Sequence, residues 1–476
     1  MDIQRKTKII CTLGPAVDND EAVRDLILAG MNAARFNFSH GNHEEQLERL
    51  QRLKKVRDQL GAPVATVLDT KGPEIRIKGF KDGPINLTIG DKFTLCIDDV
   101  DGTSERVSVT YQNLHNEVAV GNHILVDDGL VDLCVEKING KEVVCVVESG
   151  GPLSNNKSIN IPGVNIQLPA LTEKDISDLK FGVEQDFDFI AASFVRKAED
   201  VIEIRRILDE MGGQKVKIIS KIENKEGVDN LEGIIEVSNA LMVARGDLGV
   251  EIPAHEVPLI QKRMIKLCNE KGISVITATQ MLDSMMRNPR PTRAEVSDVA
   301  NAVFDNTSCI MLSGETASGK YPIEAVKTMV NIATSAENSI DYWQQFEDAH
   351  FVVHPDDITD AICRNCCNTA KDVEAKALII CTHSGLTARI ISRYLPQCNI
   401  AAFTTDEKFR RQLSIEWGVT AFLYGNVDST DRLLSISAEC AVKEGVVKSG
   451  DTVVIVAGVP IGSSGITNLI KVSIIP

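Results

Sequence analysis

Basic residues are in deficit: 51 Lys and Arg stand against 67 Asp and Glu, a formal net charge of −16. That balance excludes general binding to nucleic acid or to an anionic membrane surface, although local cations can still hold a phosphorylated small molecule. No apolar run approaches the roughly 18 residues that a membrane span needs. The opening MDIQRKTKIICTLGPA has no long apolar core, so no secretory signal is expected. Low-complexity segments and short-period repeats are absent too. The 12 cysteines are scattered and form no compact disulfide framework, so a cytoplasmic enzyme is the expectation.

One cysteine-rich stretch has two readings. His350, His354, Cys363, Cys366 and Cys367 include a ligand-like spacing that suits zinc. Cys363 and Cys366 also share one face of an expected helix, where thiols pack as small hydrophobes, and this reading is preferred.

What is present is an ordinary globular composition, 43% apolar and 25% charged, over 476 residues, enough for about three domains. Short β-branched runs alternate with amphipathic stretches, the pattern of βα units. Strands are expected at 8–13, 33–38, 64–69, 189–193, 216–221, 240–244, 274–279 and 308–313, with helices such as 44–60 and 199–211 between them. Eight such units make an α/β fold, a closed (β/α)₈ barrel. Between 72 and 168 helical periodicity nearly vanishes, and FTLCIDD, VSVTY, HILVDDGLVDLCV and KEVVCVVESGG read as strands and turns. An all-β lid domain inserted after the third strand is expected there. Its removal leaves 1–71 and 169–345, about 250 residues, the usual length of such a barrel. A C-terminal α/β domain is expected over 346–476, with strands at 377–382, 399–404, 420–424, 452–458 and 469–475.

Active sites of such barrels lie at the C-terminal ends of the strands. Polar residues collect there: Arg35, Asn37 and Ser39; Asp69, Thr70 and Arg76; Lys221 and Glu223; Gly246 and Asp247; Thr279; Ser313 and Glu315. Oxygen ligands and fixed cations in one place suit a metal ion and a phosphorylated anion. Singly, each has a plainer reading as a cap, a solvated loop residue or a structural ion pair. The weight lies in the set.

MNAARFNFSHG (31–41), LDTKGPEIR (68–76), SKIEN (220–224), MVARGDLGVEIP (242–253), TATQML (277–282) and MLSGETASGKYP (311–322) resemble the pyruvate kinase family in order and wording. The resemblance runs over nearly the whole chain. It implies transfer of the phosphoryl group of phosphoenolpyruvate to ADP, giving pyruvate and ATP. It implies Glu223 and Asp247 as ligands of Mg²⁺ (or Mn²⁺). Asn37, Ser39, Asp69 and the Thr70 carbonyl would hold K⁺, and Glu74 matches the family form that needs a monovalent cation. Arg35 and Lys221 would flank the phosphoryl group, while Gly246, Asp247 and Thr279 would grip the carboxylate. Asn37, His40, Arg76 and Lys157 would serve the nucleotide, with Asp127 approaching it from the lid. Thr279 and Ser313 are expected to order a water chain for protonation of the enolate.

Many members of the family are homotetramers activated by a sugar phosphate. THSGLTAR (382–389) opens an expected helix, so Thr382, Ser384, Gly385 and Thr387 are the candidate effector residues, with GSSGIT (462–467) closing over the ligand. Ser158 departs from a common Gly, beside an intact Lys157. The extra C-terminal domain of some relatives is not expected. A metal-dependent barrel lyase acting on an oxo acid is the alternative, and a silent scaffold with this fold is another. Arg76, Lys157 and the lid speak against the lyase; the intact Lys221, Glu223, Asp247 and Thr279 speak against the scaffold.

Overall fold

The computed structural model describes residues 5–349, 357–460 and 467–476. Eight strands close a parallel barrel: β1 (Lys8–Thr12), β2 (Ala33–Asn37), β3 (Ala65–Asp69), β4 (Phe189–Ala192), β5 (Lys217–Ile222), β6 (Ala240–Ala244), β7 (Ser274–Ala278) and β8 (Cys309–Leu312). Each pairs with its neighbours in chain order, and β1 closes on β8 with Ile9 opposite Ile310. These strands are buried along almost their whole length, which is why they read as continuous apolar runs rather than alternating ones. Inward-facing Ile10, Val67, Phe189, Ile219, Met242, Ile276 and Met311 fill the barrel interior. Outward-facing residues pack under amphipathic helices such as His43–Leu60 and Ala198–Glu210. The expected strands and helices fall within a residue or two of the observed ones. Two ends differ: Lys221 lies inside β5 rather than closing it, and Thr279 follows β7.

After β3 the chain leaves the barrel at Gly72, whose φ is +73°. A Cβ there would stand 2.8 Å from the Ser193 Cβ, so backbone conformation and close approach both require glycine. The chain then builds a seven-stranded sheet and a two-stranded one, with a single helical turn at Leu114–Glu117. This segment has its own apolar core, from Ile75 through Phe93, Val107, Leu133 and Val147 to Ile161. The run HILVDDGLVDLCV is two strands, His123–Val126 and Val131–Asn139, because Asp127, Asp128 and Gly129 all adopt positive φ and turn the chain back.

The C-terminal sheet runs β11–β10–β9–β12–β13 for β9 (Ala377–Cys381), β10 (Asn399–Thr404), β11 (Val419–Leu423), β12 (Thr452–Ala457) and β13 (Leu469–Ile474), all parallel except the edge strand β13. It caps the floor of the barrel, where the strands begin. Ile415 packs into the barrel interior with Ile10 and Met311. Arg411 donates to Asp188 at 2.9 Å, Gln412 donates to the Lys215 carbonyl at 2.7 Å, and Ser274 donates to Glu416 at 2.6 Å. Cys363, Cys366 and Cys367 are fully buried in the apolar core of this unit, and burial pushes each thiol well up, which suits the packing reading. His350, His354 and residues 462–466 of the second expected loop lie outside the described residues. No helix among the described residues is long and apolar enough to cross a membrane.

Candidate active site

The mouth of the barrel is organised around one buried lysine. Lys221, on β5, donates to Asp69 Oδ1 at 2.9 Å and to Ser193 Oγ at 2.6 Å, and its Nζ lies 3.0 Å from Glu223 Oε1. Burial alone would strip its proton, but the Asp69 and Glu223 carboxylates outweigh that and hold its pKa above the usual lysine value. Asp69 also accepts from Arg35 Nε, whose Nη1 donates to Thr12 Oγ1 at 3.0 Å. Despite complete burial, Arg35 and Lys221 hold Asp69 below the usual carboxylate range. Two fixed positive charges thus stand over one ionised carboxylate, from three different strands.

Glu223 sits just beyond β5. Its Oε2 accepts from the Phe194 amide at 2.6 Å. Burial pushes its pKa up to about 7, with Lys221 opposing and Asp247 adding to the rise. Asp247 is also pushed up, chiefly by burial. Two neighbouring buried carboxyls form the donor set that a divalent cation satisfies, so Glu223 and Asp247 fit the expected metal.

Thr279 has φ +68°, an uncommon conformation for a β-branched residue. It turns Oγ1 toward the helix Arg245–Glu251, where it accepts from the Gly246 amide at 2.8 Å. Arg245 braces the turn: it donates to the Thr279 carbonyl and to Asp298, each at 2.7 Å. Glu315 is a clamp rather than a ligand, since it accepts from the amides of Leu282 at 3.0 Å and Ser313 at 2.7 Å. Ser313 Oγ is buried with no hydrogen-bond partner among the described residues.

Asn37 and Asp69 face each other in the β2–β3 register, and Asn37 Oδ1 accepts from the Ser39 amide at 3.1 Å. The Thr70 carbonyl accepts from Ser193 Oγ at 2.7 Å. Asn37, Ser39, Asp69 and Thr70 are therefore gathered on one side of the mouth, and their oxygens suit a monovalent cation. Arg76 is held by Glu74 at 2.6 Å and donates to the Asn156 carbonyl at 2.6 Å, beside the strand that carries Lys157's neighbour Ser158. Lys157 pairs with Asp127 at 2.9 Å. His40 lies exposed after β2, and no hydrogen bond joins its ring to these residues. A cavity of about 350 Å³ separates the lid from the barrel, walled by Glu74, Asn160, Phe194, Asp247 and Glu251.

Sequence reasoning missed Ser193 and Arg245. Ser193 ends FIAAS, so the strand-end rule that selected its neighbours would have selected it. Arg245 stood inside MVARGDLG, but its partner Asp298 lies on a distant helix.

In the C-terminal unit, Thr382 Oγ1 accepts from the Gly385 amide at 3.0 Å, and the Thr387 hydroxyl pairs with Thr467 at 2.7 Å. Both side chains are buried, whereas Ser384 is half-buried. Gly385 precedes the helix Leu386–Arg393 with φ +81° and no side-chain cap.

A closed parallel barrel with an inserted β unit, its mouth holding fixed cations around buried carboxylates, defines a barrel enzyme built to handle a phosphorylated anion. Residues 4–326 match the family model described as pyruvate kinase, barrel domain, and residues 360–473 match that of pyruvate kinase, alpha/beta domain. The chain belongs to the pyruvate kinase family. It is 52% identical over 472 residues to the pyruvate kinase of Clostridium acetobutylicum, covering 99% of this chain and all of the relative. It is 51% identical over 473 residues to that of Staphylococcus aureus, covering 99% of this chain and 80% of the relative. The crystal structure of a Cryptosporidium parvum pyruvate kinase superposes with a TM-score of 0.95 at 40% identity, over 99% of this chain and 97% of that one. The enzyme is a phosphotransferase of glycolysis: it moves the phosphoryl group of phosphoenolpyruvate to ADP, giving pyruvate and ATP. Metal dependence follows from the family; the lyase and scaffold readings fall away.

Proposed function

We propose that Lys221 and Arg35 flank the phosphoryl group during its transfer, and that this pair is the centre of the catalytic machinery. The observation that carries the assignment is the buried Lys221–Asp69–Arg35 cluster, which keeps both cations charged and aimed without solvent. Phosphoryl transfer depends on positioning and charge stabilisation, so preorganised cations lower the barrier without reorganising. Glu223 and Asp247 hold Mg²⁺ (or Mn²⁺); Asn37, Ser39, Asp69 and Thr70 hold K⁺. When bound, these ions supply positive charge beside the anionic substrate. The Gly246 and Asp247 amides and the Thr279 hydroxyl orient the carboxylate, and Asn37, His40, Arg76 and Lys157 orient the nucleotide. Thr279, with the unpartnered Ser313 hydroxyl, orders water toward the enolate. Steady-state rates of ADP-dependent pyruvate release, with Mg²⁺ and K⁺ varied separately, test the set. Full activity in a buffer whose only monovalent cation is a bulky organic one would remove the K⁺ assignment.

Residues 1–71 and 169–345 are the catalytic barrel, 72–168 a lid and 346–476 a regulatory unit in this reading. Gly72 and the short return near 168 supply a hinge, and Asn160 donates to Glu251 at 2.8 Å across the lid–barrel gap. Solution scattering that stays unchanged on adding substrates and Mg²⁺ would count against closure. Thr382, Ser384, Gly385 and Thr387 receive a sugar phosphate at the start of Leu386–Arg393, a reading supported by the affinity of helix N-termini for anions. Thr382→Glu should abolish any shift of the phosphoenolpyruvate curve by fructose 1,6-bisphosphate, ribose 5-phosphate or glucose 6-phosphate. A cytoplasmic homotetramer completes the reading. The edge strand β13 supports it, since Val472 and Ile474 are 45% and 70% exposed on an unpaired sheet edge. Light scattering would give the mass.

A further inference from the structure

The lid carries a second cluster of ligand-type side chains, on the face of its sheet turned away from its core. Ile124, Val126, Leu133, Val135 and Val147 point inward and are fully buried. The residues between them point outward. His123 faces Cys134 across one antiparallel pair, and Asp132 follows two residues before Cys134 on the same face. On the third strand, Glu142–Ser149, Val146 and Glu148 flank the inward Val147 and so point outward as well; a register shift between Val147 and Ser149 leaves Glu148 as an extra residue beside Asp132. The ligand atoms of His123, Asp132 and Glu148 consequently lie within 4.8 Å of one another, and among the described residues no other group of His, Cys, Asp and Glu does so. His123 Nδ1 lies 2.9 and 3.1 Å from the two Asp132 oxygens. Cys134, half-buried and opposite His123, stands outside that group.

We propose that His123, Asp132 and Glu148 form a surface site for a borderline divalent cation of the Zn²⁺ kind, separate from the catalytic metal. The donor set selects the class. One imidazole nitrogen and two carboxylates, with water in the fourth position, suit a four-coordinate ion that accepts N and O. Mg²⁺ prefers oxygen donors in octahedral array and would leave the nitrogen unused. An ion here would cross-link the three strands and favour the folded lid by mass action.

The test is titration of the whole enzyme with Zn²⁺ against a chromophoric chelator, in excess Mg²⁺. The wild type should bind one equivalent more than His123→Ala, and Asp132→Asn should weaken that equivalent about 10-fold or more. Cobalt substitution adds a second readout: the visible absorption of one extra bound ion, present in the wild type and absent in His123→Ala. Unchanged Mg²⁺-supported activity in His123→Ala would show that the variant folds. Equal Zn²⁺ stoichiometry in wild type and His123→Ala overturns the proposal.

Discussion

The mouth and the floor of the barrel both bury lysine, with opposite results. At the mouth Lys221 lies between Asp69 and Glu223, and its pKa stands above the ordinary value. At the floor Lys8 donates to the Val419 carbonyl at 2.7 Å, and burial lowers its pKa to about 7. Lys217 starts β5 only four residues before Lys221, and burial lowers it to about 8. Lys8 and Lys221 are both buried, Lys217 less so; what differs between the ends is partnership. A carbonyl dipole does not replace a carboxylate charge, so the floor tolerates its lysines while the mouth keeps one charged for use. The floor's ion pair of Arg411 with Asp188 joins two parts of the chain instead of facing a substrate.

Four experiments would break or sharpen this contrast, taken from the largest effect. Arg411→Ala strands Asp188 in the floor and should cost about 3–5 kcal/mol of stability. Denaturant melts of variant and wild type measure it, and a loss below about 1 kcal/mol would mean that the pair does not hold the C-terminal unit to the barrel. Lys221→Ala should lower kcat about 10²-fold, roughly 2.7 kcal/mol, with a smaller change in KM, because its charge acts most on the moving phosphoryl group. Near-normal turnover would reduce Lys221 to a structural cation like those below it. Glu74→Lys brings a fixed charge to the mouth and should weaken the K⁺ requirement, read as the ratio of rates with and without K⁺. An undiminished ratio would detach Glu74 from the monovalent site.

The smallest effect concerns Lys8. Its folded pKa is near 7 and its unfolded value near 10.5. Between those values the unfolded chain binds the extra proton, so stability rises with pH across that window. Below about pH 7 both states are protonated and the penalty is present in full. Lys8→Met should therefore raise the melting temperature by roughly a few °C at pH 7, with the gain shrinking toward pH 10. A gain that does not change with pH would mean that the floor lysine is not neutral.

Much of the fold was legible because it is written locally. The strand AARFNF and the helix EEQLERLQRLKKVRDQL carry their periods in adjacent residues, and both appear within a residue of their expected places. The strand-end rule gathered Arg35, Asp69, Lys221 and Glu223 for the same reason, since barrel topology sends every strand end to one face. It overlooked Ser193 only because FIAAS was read as a strand and not as a strand end. The break inside HILVDDGLVDLCV, read as strands and turns, falls where Asp127 and Asp128 take positive φ, which their side chains permit but do not announce.

The sequence by itself determined the barrel, the inserted β unit, the family and the residues that stand at the mouth, because short-range periodicity and contiguous motifs carry that information. Only the tertiary structure decided which charges meet. Asp69 reaches Lys221 across 152 positions and Arg411 reaches Asp188 across 223. Ile415 enters the barrel from another unit, and strand pairing brings Glu148 beside His123 and Asp132. Those pairings set whether a buried lysine keeps its proton, because the free energy of a buried charge depends on the groups packed against it, and no local pattern specifies them.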